Sequence, residues 1–199
     1  MKIILIGASG TIGKRIHDTF AKKHDVIRAS RSGADVTVDI TEPTSIEKMY
    51  QTVSGIDAVI CAAGPAKFAP FAEMTEEDFY IGIRGKMMGQ VNLVRIGQKY
   101  VNENGSFTLT TGILADDPIV GSAAVSLVNG AVNSFVLAAA QELSRGQRVN
   151  VVCPTVVEDS AEAYADFFPG FDPASMERVV NGYIRSVETK ISGRIIRIY

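Results

Sequence analysis

Apolar positions along this chain alternate between two rhythms. Short runs with little polar interruption occupy residues 2–7, 25–29, 35–39, 56–62, 105–111, 148–153 and 194–198. Runs of this length bounded by Gly, Asp, Asn and Ser predict strands, and their near-continuous apolar character predicts burial on both faces, as in a parallel sheet. Between them lie longer stretches of helical period, near 11–23, 43–53, 75–103 and 121–144, with shorter helical pieces between 158 and 189. Strands alternating with helices imply βαβ units and a sheet covered on both faces. No repeat, low-complexity tract or linker divides the 199 residues, so a single α/β domain is expected.

The first strand runs directly into Gly7-Ala8-Ser9-Gly10-Thr11-Ile12-Gly13 and then into a helix. The three glycines serve different ends. Gly7 permits the tight turn, Gly10 lets backbone approach a pyrophosphate, and Gly13 allows close helix packing. The helix N-terminus, with its free N–H groups and dipole, favours a phosphate. The alternative is a tight strand-to-helix turn with no ligand. With right-handed crossovers this turn predicts a Rossmann-type, doubly wound parallel sheet of about seven strands, in the order 3-2-1-4-5-6 with the seventh at the end. Ligands on such a sheet bind beyond the carboxyl ends of the strands.

The second strand ends in Ser30-Arg31-Ser32, without the acid that bonds a ribose 2′-hydroxyl. A guanidinium and two hydroxyls suit a 2′-phosphate, so NADP(H) is expected over NAD(H). Arg31 as a merely solvated loop charge is the competing reading.

Composition narrows the field further. A formal net charge of −2 with interspersed signs favours no polyanionic partner, so no nucleic acid partner is expected. Cys61 and Cys153 each sit in an apolar run, the setting of a buried reduced thiol. No apolar run approaches the roughly 18–20 residues that span a bilayer, and no cleavable leader is visible, so the expectation is a cytoplasmic protein without a membrane partner.

With these segments in place the chain resembles the short-chain dehydrogenase/reductase family over nearly its full length. The glycine spacing is similar to that of extended or atypical members. Asp39-Ile40-Thr41 resembles the adenine-contacting Asp segment after the third strand, and Cys61-Ala62-Ala63-Gly64 resembles the Asn-Asn-Ala-Gly segment after the fourth. Gly105–Thr111, Asn129–Leu143 and Arg148–Pro154 resemble the fifth strand, the long helix and the sixth strand with its Pro-Gly end. The resemblance implies cofactor contacts from Gly7, Ser9, Gly10, Thr11, Ile12, Gly13, Ser30, Arg31, Ser32, Asp39, Ile40, Ala62, Ala63, Gly64, Lys86 and Pro154. It also implies a homodimer or homotetramer through the long helices.

The family's catalytic Tyr-x-x-x-Lys falls on Val125-Ser126-Leu127-Val128-Asn129. Valine has no proton to exchange, so the usual acid–base step cannot run there. The family's Ser falls on Thr111 or Gly112, and Thr111 offers a hydroxyl for a carbonyl. One compensation is visible. Lys86, in Lys86-Met87-Met88-Gly89, stands where the family carries Asn, and Asn129 stands where it carries Lys. The exchange predicts that Lys86 reaches the ribose or polarises a water, with Asn129 hydrogen-bonded to it; a solvated Lys86 is the alternative.

Weaker candidates complete the picture. Asp116 and Asp117 before Pro118 predict a solvated turn. His17 and His24 are expected on the surface with no metal-binding spacing. The segment near 156–190, with Tyr164, Phe167, Phe168 and Phe171, occupies the place of a substrate lid and suits an apolar or planar ligand. Tyr164 is the nearest replacement proton donor in sequence. Two functions follow: an NADP(H)-dependent oxidoreductase acting on a small carbonyl, alcohol or quinone through Thr111, Lys86 and Asn129, or a catalytically silent NADP(H)-binding sensor on the same fold.

Overall fold

A computed structural model describes all 199 residues. Seven parallel strands form one sheet in the order β3-β2-β1-β4-β5-β6-β7. They are β1 (Lys2–Ile6), β2 (Asp25–Ser30), β3 (Val36–Thr37), β4 (Ile56–Cys61), β5 (Val101–Thr110), β6 (Arg148–Pro154) and β7 (Arg194–Ile198). The order is the expected one, with the chain reversing direction across the sheet between β1 and β4. That reversal opens a crevice at the carboxyl ends of both strands.

Helices cover both faces: α1 (Thr11–Phe20), α2 (Pro43–Thr52), α3 (Glu76–Gly82), α4 (Gly89–Gly97), α5 (Ala123–Glu142), the short α6 (Ala161–Tyr164) and α7 (Met176–Glu188). Alternation along β1 shows why two layers form. Ile4 and Ile6 join the core beneath α2, α4 and α5, while Ile3 and Leu5 join the core beneath α1 and α7.

Three expectations are corrected. The helix expected over 75–103 is broken by a π-helical turn at Ile83–Met88 and ends at Gly97. The fifth strand then starts at Val101, earlier than position 105, with a register shift against β4 between Ile56 and Ala58. Polar Asn102, Glu103 and Asn104 hid this strand start, because they are exposed on its irregular first half. Lastly, α5 does have spanning length, with 20 residues at mean hydropathy 1.6. Its Val128, Val132 and Val136 are fully buried, so one stripe of the helix serves the domain core while Leu127 and Leu137 stay exposed.

The excursion over the sheet's carboxyl end is also shorter than 156–190. Val157 and Ala174 form a single parallel bridge that closes its base, and α7 belongs to the layer beneath the sheet.

Candidate active site

The glycine turn is built as tightly as its sequence demands. Gly7 has φ +88°, and a Cβ on Gly13 would lie 1.9 Å from the Gly7 carbonyl oxygen. Gly10 caps α1 with no side-chain cap, and no acidic residue stands in the first turn. The N–H groups of Thr11, Ile12 and Gly13 are thus left for an anion, the arrangement a pyrophosphate needs.

A polar pocket of about 400 Å³ lies beside this turn, lined by Ser9, Lys14, His17, Arg28, Ser30 and Ser32 among others. Ser30 Oγ donates to the Ser32 carbonyl at 2.5 Å and so shapes the loop. Arg31 is exposed and stands outside this lining, on the side of Asp39. Arg28 faces the pocket but is claimed by Asp35, which it grips at 2.7 and 3.0 Å, and this grip holds the Asp35 carboxyl down at about 2. Lys14 has no ion-pair partner. Sequence reasoning missed Lys14 and His17; the signal was their position on α1 one and four residues after Gly13, facing β2. Asp39 accepts from Thr41 N at 2.9 Å and Thr41 Oγ1 at 2.8 Å, which lowers its carboxyl and fixes the loop ahead of the buried Ile40.

On the other side of the switch point lies a cleft of about 250 Å³. Ile12 from α1, Lys86, Thr111, Val125 and Asn129 from α5, and Pro154 from β6 all line it, under Tyr164 and Phe168 of the covering segment. Ala62 follows β4, its N–H bonded to the Ile6 carbonyl at 2.9 Å; Ala63 comes next, and Gly64 takes φ +134°. A Cβ on Gly64 would sit 2.9 Å from the Lys86 backbone and stem, so glycine there seats the lysine against the loop after β4. The π turn widens the helix at Lys86 and aims it inward, a distortion that often marks functional sites.

Burial pulls the Lys86 ammonium down to about 8, opposed by the neighbouring Cys61 and Cys153. The Cys61 thiol is itself pushed up to about 11 by burial, so it is neutral at pH 7 and offers no counter-ion. Lys86 makes no ion pair.

Asn129 enters the same cleft, but its expected bond to Lys86 is absent. Its Nδ2 donates weakly to the Gly112 carbonyl at 3.5 Å, and its buried Oδ1 has no partner. Thr155 Oγ1, also on the cleft wall, is likewise buried and unpartnered. Two orphaned polar atoms in one cleft are costly unless a ligand satisfies them. With the uncapped helix end, they fit a nicotinamide dinucleotide. Thr111 donates its hydroxyl proton to Asn133 Oδ1 at 2.9 Å, so only its lone pairs are free for a ligand. The expected hydroxyl donor to a carbonyl is therefore turned away.

Two weaker candidates also move. Asp116 is bound by Arg197 at 2.8 and 3.2 Å and by the Tyr199 hydroxyl, and these partners lower its carboxyl. It thus locks the chain's last strand to the loop after β5 and is no free turn acid. His24 is half-buried, with Nε2 3.2 Å from Glu188 on α7.

The family model described as enoyl-(acyl carrier protein) reductase matches residues 9–189. The chain belongs to the short-chain dehydrogenase/reductase family. Among similar proteins of this kind, an uncharacterized oxidoreductase of Methylorubrum extorquens is 26% identical over 178 residues, covering 77% of this chain and 72% of that protein. Oxidoreductase UcpA of Salmonella typhimurium is 26% identical over 181 residues, covering 87% and 67%. Among solved structures, the protein lin1944 of Listeria innocua superposes over the full length of both chains with a TM-score of 0.98 at 45% identity. A small-chain dehydrogenase in complex with NADPH superposes with a TM-score of 0.87 at 20% identity, covering 100% of this chain and 96% of the other.

This short-chain dehydrogenase/reductase presents Val125 and Asn129 to its cleft from successive turns of α5. Neither an isopropyl group nor an amide acts as an acid or base at neutral pH. Among the cleft's side chains, Lys86 has a proton to give near pH 8.

Proposed function

We propose that the protein is an NADP(H)-dependent oxidoreductase acting on a small carbonyl, alcohol or quinone, in which Lys86 handles the proton. The observation that carries this reading is a lysine without an ion-pair partner, lining a cleft that adjoins an uncapped helix N-terminus, where burial disfavours its charged form. A general acid works best when its pKa lies near the operating pH. When bound, NADPH supplies hydride to the carbonyl carbon. Lys86 Nζ gives its proton to the carbonyl oxygen. Asn129 Oδ1 accepts from the ammonium or from the ribose, and Thr111 Oγ1 accepts from the product hydroxyl. Backbone N–H groups of Thr11, Ile12 and Gly13 hold the pyrophosphate, while Lys14 and Ser32 face the 2′-phosphate from the pocket wall and Arg31 turns toward it from outside that wall.

One observation favours the second reading, a silent NADP(H)-binding sensor. Val125 is apolar and the Thr111 proton is committed to Asn133, so two positions that the family uses for chemistry are closed. NADPH consumption against a panel of aldehydes, ketones and quinones, run beside direct cofactor binding, separates the two. Turnover abolished by Lys86→Met supports the enzyme. Tight NADPH binding with no turnover across the panel supports the sensor.

A further inference from the structure

The cleft that holds Lys86 is small for what it must admit. At about 250 Å³ it lies below the roughly 300–1,000 Å³ of common ligand sites, yet it has to take the nicotinamide as well as the reacting group. Only one end of a substrate fits. The cleft does not end blindly, however. Phe68, on the loop after β4, lines both this cleft and a second groove of about 640 Å³.

That groove runs between Phe68–Pro70, the loop Pro118–Gly121 after β5 and the covering segment at Asp166–Phe171. A small cluster connects the two spaces. Ile113, Leu114 and Val125 pack with Ile119, Phe168 and Phe171, the first three and Phe168 facing the cleft, Ile119 and Phe171 facing the groove. Phe168 and Phe171 meet edge to face at 5.3 Å, so one aromatic pair walls both. A backbone bond from Ala69 N to the Gly121 carbonyl, 3.1 Å, ties the two flanking loops and fixes the groove's width.

The groove's surface is largely apolar and exposes large side chains. Val120 is 93% exposed and Phe167 54%. Asp166 is the single charged side chain along it. Eleven residues line it, against about 20–30 a side for a standard protein interface. Exposed apolar surface continuous with a catalytic cleft is the expected form of a binding groove.

We infer that the substrate is a carbonyl compound with an extended, uncharged aliphatic tail: the carbonyl enters the cleft at Lys86 and the tail lies along Phe68, Ile119, Val120 and Phe171. This rests on the oxidoreductase reading for the reacting end alone. Asp166 disfavours a tail that ends in a carboxylate.

The test uses two homologous series on the NADPH-loaded protein: binding of primary alkanols by calorimetry and reduction of alkanals by NADPH oxidation, each from butyl to dodecyl. Affinity and kcat/KM rise about two- to fourfold per methylene, the upper value being that of a fully buried CH₂. In Val120→Asp, which the exposure of Val120 allows to fold, both series flatten. Binding that rises with length while no alkanal turns over refutes the oxidoreductase reading and leaves the groove assigned. Turnover with both series flat overturns the groove. A change in light-scattering mass in Val120→Asp, with the series unaltered, makes the groove a contact between copies and likewise overturns it.

Discussion

The two sides of the crevice are built on opposite terms. At the start of α1 the ligand surface is main chain: N–H groups that no residue claims, after a turn whose glycines pack too closely to carry side chains. Around α5 and the turn bearing Lys86 it is side chain, and the atoms there are either orphaned, as Asn129 Oδ1 and Thr155 Oγ1 are, or spoken for, as the Thr111 proton is. A backbone site tolerates almost any change that keeps its glycines. A side-chain site changes its chemistry with a single substitution.

The sharpest way to break this contrast is at Gly13. A Cβ there would lie 1.9 Å from backbone that cannot move aside. Gly13→Ala is expected to abolish measurable NADPH binding and to cost about 3 kcal/mol of stability, the upper range for overpacking, read by calorimetry and thermal melting. A soluble, NADPH-binding Gly13→Ala variant would mean that the turn has room to yield.

Lys86→Met acts on the other side. It is expected to weaken NADPH binding by about 1.5–3 kcal/mol, the worth of a hydrogen bond to a charged group, with the fold retained. It also carries a pH signature. Lys86 is lowered from 10.5 to about 8, so between those values the unfolded chain binds more protons than the native one, and stability rises with pH across that window. Lys86→Met should lose this rise, which urea titrations at pH 7.5 and 10 would detect.

The backbone half was legible in the sequence because glycine spacing is itself a geometric statement. The tight turn at Gly7 and the close packing at Gly13 could be assigned from the strand before and the helix after, and the structure has both. The side-chain half was legible in its members and not in its contacts. Thr111, Lys86 and Asn129 do share one cleft. That Asn129 would leave Lys86 unbonded, and that Asn133 would take the Thr111 proton, depends on rotations of α5 finer than any periodicity records. The π turn was missed because it needs no breaker residue. Its trace is Gly82, Gly85 and Gly89, three glycines that press against Val128, Pro65 and Ile40 where an ordinary helical stripe would carry side chains.

Cofactor choice gives a smaller effect. NADPH should bind tighter than NADH, and Arg31→Ala should cost about tenfold, equivalent to about 1.4 kcal/mol. Lys14 lines the polar pocket that Arg31 stands outside, so Lys14→Ala should cost at least a comparable factor, and equal affinities for the two cofactors would remove the assignment. Smallest in its effect on the site is assembly. Leu127 and Leu137 on α5 are 46% and 48% exposed, and a homodimer or homotetramer through this face would cover them. Light scattering should give a multiple of the 21.4 kDa chain mass, reduced by Leu137→Glu with NADPH affinity within twofold of the parent.

In the proposed mechanism Lys86 Nζ supplies the proton that the missing hydroxyl cannot. The direct measurement is kcat/KM for NADPH-dependent carbonyl reduction as a function of pH. With a protonated Lys86 as the acid, the profile is level below about pH 8 and falls about tenfold per unit above it, and Lys86→Met removes the activity with its limb. A limb at that pH that survives in Lys86→Met, or a profile level through pH 10 in the parent, would contradict this role.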